Sequence, residues 1–316
     1  MHKILVILPA LNEEKTIGDI LDKISEVKIS DANIAQIVID DGSTDSTAKI
    51  AREKGIRVLS HERNLGVGAA FQSGLREAIL DGFDILVSID SDGQFDPQYI
   101  PELVVPIIEG TADFMTASRF IGNNNIVIPR IKRWGNYQIA KLVSNLSGQK
   151  IYDVSCGFRA YSRKAFLNLN IIGDFTYTHE AILNLAFRGF YIKEVPIPVK
   201  GIREHGESRV ASNLFKYAFK STLIIIRSLR DYKPIKTFGI PGIILFVLGS
   251  VFFSVFIVWS IIEGRFFPKV AAFAGAFSFL TGLVFFVIAL LADMFTRMRV
   301  KMEKIIELMD KGISKE

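Results

Sequence analysis

A single cysteine, Cys156, excludes an intramolecular disulfide framework and agrees with a reducing compartment. The four histidines, His2, His61, His179 and His205, are scattered without metal-ligand spacing, so no zinc site is read from them. Gly66-Val-Gly68-Ala-Ala-Phe71 lacks the third glycine of a dinucleotide fingerprint, and no Gly-x4-Gly-Lys-Ser/Thr phosphate loop occurs. Nicotinamide and P-loop chemistry are therefore unsupported. An EF-hand fails as well, because Gly93 falls at the fourth position from Asp90 and no Glu sits at the twelfth. The net charge of +5 is modest, no aromatic-basic module accompanies it, and no nucleic-acid partner is expected.

Charge itself is missing near the C-terminus. Residues 238–262 contain no charged side chain, and neither do residues 270–292. At ~1.5 Å per residue either run is long enough, as a helix, for a hydrocarbon core of ~30 Å. The short connection from Glu263 to Lys269 contains Gly264 and Pro268, which suits a tight helical hairpin with both outer ends on one side. Arg227, Arg230, Lys233 and Lys236 precede the hairpin and Arg297, Arg299, Lys301 and Lys304 follow it, against Arg265 and Lys269 in the loop. That bias predicts cytoplasmic flanks, with the N-terminal domain on the same side, and it points to anionic lipid head groups. Met1–Ala10 gives way at once to Asn12-Glu13-Glu14 without a cleavage-type segment, and reads as a first strand rather than a signal peptide. Lys216, Lys220, Arg227 and Arg230 interrupt an apolar helical pattern, as in a helix lying in the membrane interface. Periodicity does not distinguish spans that pack within one chain from spans that bundle between chains, so a homo-oligomer stays open.

The first ~120 residues alternate strand and helix patterns in the manner of a mostly parallel sheet. Strands are predicted over Lys3–Pro9, Ile34–Ile39, Ile56–Leu59 and Ile85–Ile89. A first helix has Ile17, Ile20, Leu21, Ile24 and Val27 on one face, a second is capped by Thr44 or Asp45, and a third opens at Asn64–Gly68 and runs to Gly82. The fourth strand runs directly into Asp90-Ser91-Asp92-Gly93-Gln94. Two carboxylates one residue apart at the carboxyl edge of such a sheet lie where α/β proteins hold ligands. Their oxygens suit Mg2+ or Mn2+ on a diphosphate, an ion that takes most of its coordination from water and phosphate.

Pro9-Ala-Leu-Asn-Glu-Glu14, Asp40-Asp-Gly-Ser-Thr-Asp45, Asn64-Leu-Gly-Val-Gly68 and Asp90-Ser-Asp-Gly-Gln94 stand in the order and spacing of family 2 glycosyltransferases, which the chain resembles. Ser118-Arg119-Phe120, Ser155-Cys-Gly-Phe-Arg-Ala-Tyr161, Glu194-Val-Pro-Ile197 and Arg203-Glu-His-Gly-Glu-Ser-Arg209 are similar to the branch that makes polyprenyl-phosphate sugars, the dolichol-phosphate mannose synthase type. The resemblance covers about residues 3 to 215 and implies a mostly parallel, Rossmann-like sheet of the glycosyltransferase-A fold; the charge gaps and basic residues above add interface helices and a two-helix transmembrane hairpin after it. Together these readings predict a cytoplasmic catalytic domain over 1–212, an interface helix region over 213–236, the hairpin over 237–293 and a basic cytoplasmic tail over 294–316.

By the same resemblance Pro9, Leu11, Glu13, Val38 and Asp40 hold the base and ribose of a nucleotide sugar, of GDP-mannose or UDP-glucose type. Leu11 stands where the family commonly has Tyr. Asp90, Ser91, Asp92 and Gln94 take the diphosphate, with Asp90, Asp92 and Gln94 on the ion. Arg203 and Arg209 resemble the late basic pair that closes over the donor phosphates, Arg209 replacing the more usual Lys. The expected reaction is inverting transfer of one sugar to a polyprenyl (dolichyl or undecaprenyl) phosphate. Such an acceptor is already anionic and needs cations rather than a base; Arg119, Arg130 and Arg133 are the candidates. Two other readings stay open: transfer to a lipid or glycan hydroxyl with Glu180 as base, and a non-catalytic membrane partner that binds nucleotide sugar. Gly157, Phe158 and Arg159 are expected to shape the acceptor side, and Cys156 to be a packed side chain.

Overall fold

The computed structural model describes residues 1–121, 130–171, 177–199, 214–263 and 269–313. The chain divides into two compact units, Met1–Ile224 and Ile225–Glu316. The first is built on a seven-stranded sheet of β1 (His2–Ala10), β2 (Ala32–Asp40), β3 (Arg57–Ser60), β4 (Ile85–Ser88), β5 (Phe114–Ser118), β6 (Arg159–Ser162) and β7 (Ile192–Pro196), in the order β3-β2-β1-β4-β6-β5-β7. β1 runs parallel to β2 and β4, and β2 to β3. The near-continuous apolar runs Ile4–Leu8 and Ile85–Val87 are buried, as expected of strands covered on both faces. The helix α1 (Ile17–Glu26) buries Ile17, Ile20, Leu21 and Ile24, the face its spacing predicts.

The second half of the sheet is less regular. β6 pairs antiparallel with both β4 and β5, whereas β5 pairs parallel with β7. Insertion of β6 beside β4 carries the segment before it, residues 153–158, to the end of the strand that bears the two acids. Helices α2 (Thr47–Glu53), α3 (Val67–Leu80), α4 (Ile100–Ile108), α5 (Arg130–Ser147), α6 (Arg163–Leu167) and α7 (Thr178–Phe187) complete the order up to β7. The N-cap position of α2 is Ser46, without a side-chain capping bond; Asp45, one residue before it, satisfies the first free amide, its Oδ1 accepting from the Thr47 backbone N at 2.9 Å. Thr44 instead ties this turn to the one after β1, its backbone N donating to Asn12 Oδ1 at 2.7 Å.

After α8 (Leu214–Tyr232) a π-helical turn at Ile235–Gly239 leads into α9 (Ile240–Glu263), and α10 (Lys269–Ile313) follows. The stretches Ile235–Ile262 and Ala272–Met302 are long and apolar enough to cross a membrane, and only 11% and 17% of their most apolar windows is buried. A core helix of a water-soluble domain would be mostly enclosed. Ile243, Val247, Phe252, Phe273, Phe277 and Leu290 are exposed instead, an apolar surface that suits lipid. The helix α10 runs on well past the apolar run that ends at Ala292. At its continuation the Arg299 guanidinium lies 4.4 Å from the Tyr232 ring, and Thr296 Oγ1 donates to the Asp231 carbonyl at 3.2 Å.

The two long helices pack on each other within one chain. Gly249 meets the backbone of Phe279 and Gly275, and Gly282 meets that of Phe246 and Gly242, so closely that a Cβ at either glycine would overlap backbone atoms. Small residues permit this approach, and dispersion between backbones then holds it in an apolar solvent. Gly249→Leu is expected to destabilise the hairpin by about 1–3 kcal/mol or more through overpacking. A melting curve of the detergent-solubilised variant checks it, and an unchanged Tm would mean that this contact does not set the stability of the second unit.

Candidate active site

The parallel register places Ala10 opposite Asp40 and Ile7 opposite Ser88, so the segments after β1, β2 and β4 leave the same edge of the sheet. They are laced together. Ser91 Oγ donates to the Pro9 carbonyl at 2.7 Å, and Thr16 Oγ1 donates to the Ser91 carbonyl at 2.7 Å. Asn12, in the left-handed region at φ 53°, donates its backbone N to Ser43 Oγ at 2.9 Å, while Glu13 N donates to Thr47 Oγ1 at 2.8 Å. Pro9, Leu11, Glu13 and Asp40 therefore belong to one cradle next to the acids. The Val38 side chain, on the strand that leads to Asp40, is fully buried in the core cluster with Val6, Leu8 and Ile17.

The two acids of Asp40-Asp41 divide their work. Asp40 Oδ1 accepts from Ser43 N at 3.0 Å and shapes the turn at the edge. Asp41, buried, accepts from Leu65 N at 2.9 Å and Gly66 N at 2.8 Å, and its Oδ1 lies 2.8 Å from His61 Nδ1. It pins the segment that opens α3. Residue spacing carries no signal for that role, since the amides it holds are more than twenty positions away.

Asp92 is buried, with Oδ1 accepting from Gln94 N at 3.0 Å, whereas Asp90 and Gln94 are partly exposed. Among the described residues no group of three or more His, Cys, Asp and Glu converges on one point. Two carboxylates and an amide oxygen fit a hard cation that draws its other ligands from water and phosphate, and do not fit a closed protein cage. Asp90, Asp92 and Gln94 are the residues that would hold it.

On the far side of β4 the guanidinium of Arg119 is paired with Asp153, Nε to Oδ2 at 2.7 Å and Nη2 to Oδ1 at 2.9 Å, and Nη2 also donates to Ser155 Oγ at 2.5 Å. Asp153 is fully buried. Burial alone would raise its carboxyl, but the Arg119 charge and hydrogen bonds outweigh that and hold it below its ordinary range. Arg119 thus holds the 153–155 segment. Arg159 is completely enclosed, donating to the Thr178 and Val154 carbonyls at 2.6 and 3.0 Å, so it is a core strut under this segment. Cys156 is buried and its thiol is pushed up to about 12, first by burial and then by the Asp153 charge, which leaves it inert as a nucleophile. Glu180 is buried in the first turn of α7. Arg133 is exposed on α5, and Arg130 begins that helix. The Arg130 side chain and all of Arg203 and Arg209 lie outside the described residues.

Two titratable groups flank this segment with opposite tendencies. Burial pushes the Glu194 carboxyl up to about 7 from 4.5, although it accepts from Asp153 N at 2.8 Å and Tyr152 N at 2.7 Å. The unfolded chain therefore releases this proton first, and stability is lost as pH rises from 4.5 toward 7. Burial, with the Arg159 charge adding, pushes His179 down to about 4 from 6.5. The unfolded chain takes up that proton first, and stability is lost as pH falls from 6.5 toward 4. At about 1.4 kcal/mol per unit either trend amounts to up to about 3 kcal/mol, and the two offset each other where they overlap. Glu194→Gln is expected to expose the histidine slope, with Tm rising between pH 4.5 and 6.5, and His179→Gln the reverse slope. Thermal melts across that window check both signs.

Comparison with known proteins bears on this geometry. Residues 5–169 match the model of Glycosyl transferase family 2. The dolichyl-phosphate hexose transferase of Haloferax volcanii is 32% identical over 195 residues, covering 62% of this chain and 82% of that protein. The UDP-N-acetylglucosamine--dolichyl-phosphate N-acetylglucosaminyltransferase of Methanococcus voltae is 30% identical over 218 residues, covering 61% and 84%. Among solved structures, glucosyl-3-phosphoglycerate synthase of Mycobacterium tuberculosis in complex with Mn2+ and UDP-glucose superposes with a TM-score of 0.53 at 27% identity, over 72% of this chain and 78% of that one.

Proposed function

Because this chain belongs to glycosyl transferase family 2, we propose that it moves one sugar, with inversion, from a nucleoside-diphosphate donor to a polyprenyl phosphate at a membrane surface. The observation that carries the reading is the delivery of Asp90 and Asp92 to the sheet edge that also holds Pro9, Leu11, Glu13 and Asp40. The same chain carries two helices long enough to span a bilayer. The two relatives named for dolichyl phosphate support the acceptor class. The solved complex with Mn2+ and UDP-glucose supports the donor class and the ion.

In this reading the segments after β1 and β2 bind the nucleoside. Asp90, Asp92 and Gln94 would hold Mg2+ or Mn2+, whose charge offsets the one that develops on the leaving diphosphate. Arg203 and Arg209 close over the donor phosphates. The acceptor phosphate arrives already anionic, so no side chain has to take a proton, and binding by Arg130 and Arg133 aligns it for attack from the face opposite the diphosphate. Arg119 acts at one remove, by fixing Ser155 and the segment it belongs to. The basic flanks of the hairpin set the catalytic unit on the cytoplasmic side, and α8 lies at head-group depth.

The test is a transfer assay with the full chain in detergent, Mg2+ or Mn2+, a panel of nucleotide sugars and a polyprenyl phosphate. One donor should give an acid-labile lipid-phosphate sugar that EDTA abolishes. If the lipid phosphate stays unlabelled with every donor while nucleotide binds, the phosphate-acceptor reading fails, and a hydroxyl acceptor with Glu180 as base is tried next.

A further inference from the structure

Asp90 does not stand free at the end of β4. Gly157 lies directly against it: a Cβ placed on this glycine would sit 2.5 and 2.6 Å from the two carboxylate oxygens and 2.8 Å from their carbon. These separations are well inside contact distance, so a side chain here must move the carboxylate. Asp90 supplies all three of the nearest atoms, so the strain of an added Cβ falls on that side chain first. The main chain at Gly157 is itself fixed from the other side. Its carbonyl accepts from Tyr177 Oη at 3.2 Å, and the same hydroxyl lies 2.7 Å from Ser88 Oγ, on the strand that leads to Asp90. The Tyr177 ring stacks on Phe71 with centroids 3.9 Å apart and planes at 7°. Tyr177 and both hydrogen-bonded partners are buried.

We propose that Gly157 is a positioning residue for the donor site: its bare backbone is the wall that sets the Asp90 carboxylate, and Tyr177 fixes how far that wall stands from β4. The sequence alone places Gly157 on the acceptor side instead. The inference rests on the reading of Asp90 as an ion ligand, and on the general finding that groups orienting a metal ligand matter nearly as much as the ligand. Its chemical consequence is specific. Gly157→Ala changes the direction of one carboxylate while leaving the Asp153, Arg119 and Glu194 contacts of the same segment intact.

The experiment is a titration of Mn2+ into the detergent-solubilised full chain with UDP, and in parallel with GDP, reading free Mn2+ by electron paramagnetic resonance. Tm is recorded for each variant. Gly157→Ala should weaken Mn2+ binding by about 10-fold or more with Tm close to wild type, and Tyr177→Phe, which keeps the stacked ring and loses the hydroxyl, should weaken it less. Wild-type Mn2+ binding in folded Gly157→Ala, together with its loss in Asp90→Asn, overturns the positioning role alone. Wild-type binding in Asp90→Asn, or no binding by the wild type, overturns the ion reading and this inference with it. Should Gly157→Ala not fold, the pair Gly157→Ala with Asp90→Gly removes the overlap; a folded pair supports the contact and an unfolded one overturns it.

Discussion

Asp92→Asn should reduce sugar transfer by at least about 100-fold with little change in Tm. The asparagine oxygen still accepts from Gln94 N, as Asp92 Oδ1 does at 3.0 Å, so the turn keeps its shape. Only the negative charge is lost, and with it the hold on a cation that shares its coordination with the donor diphosphate. The comparison to make is kcat and KM for the donor in wild type and variant, alongside melting curves. Activity within a few-fold of wild type would remove Asp92 from the ion site, whatever the fold family suggests.

Arg119→Met should destabilise the catalytic unit by about 3–5 kcal/mol, because Asp153 is fully buried and would keep its charge without its partner. The loss is expected to shrink when Asp153 is replaced by Leu in the same chain, since two apolar groups then stand where an ion pair stood. Chemical denaturation of both single variants and the double variant closes the cycle. The experiment also separates two roles for Arg119. A strut lowers Tm, whereas an acceptor ligand would raise KM for the lipid phosphate and leave Tm alone. An unchanged stability in Arg119→Met would return this residue to the acceptor side.

What the chain order alone determined was the half of the molecule in which chemistry is local. The strands at β1, β2 and β4, the helix α1, the Asp90–Gln94 turn and the two apolar runs are each written in a few consecutive residues. Period, charge gaps and turn chemistry suffice to read them, because a parallel strand buried on both faces is a continuous apolar run and a span is a long one. The hold of Asp45 on the first amide of α2 and the packed nature of Cys156 were legible for the same reason. Contacts across long separations were not. β6 inserts between β4 and β5 and reverses direction there, an arrangement that its four residues do not announce. The pairing of Arg119 with Asp153 spans 34 positions, the grip of Asp41 on Gly66 spans 25, and Tyr177 reaches back 89 to Ser88. Val38 is singled out by the family resemblance alone, and its complete burial in the core cluster is visible only in the folded sheet. Gly157 reads as part of an acceptor motif, yet the antiparallel entry of β6 sets it against Asp90. A sequence specifies which groups can bond or pack, but burial and distance decide which of them do, and those are fixed only when the sheet has closed.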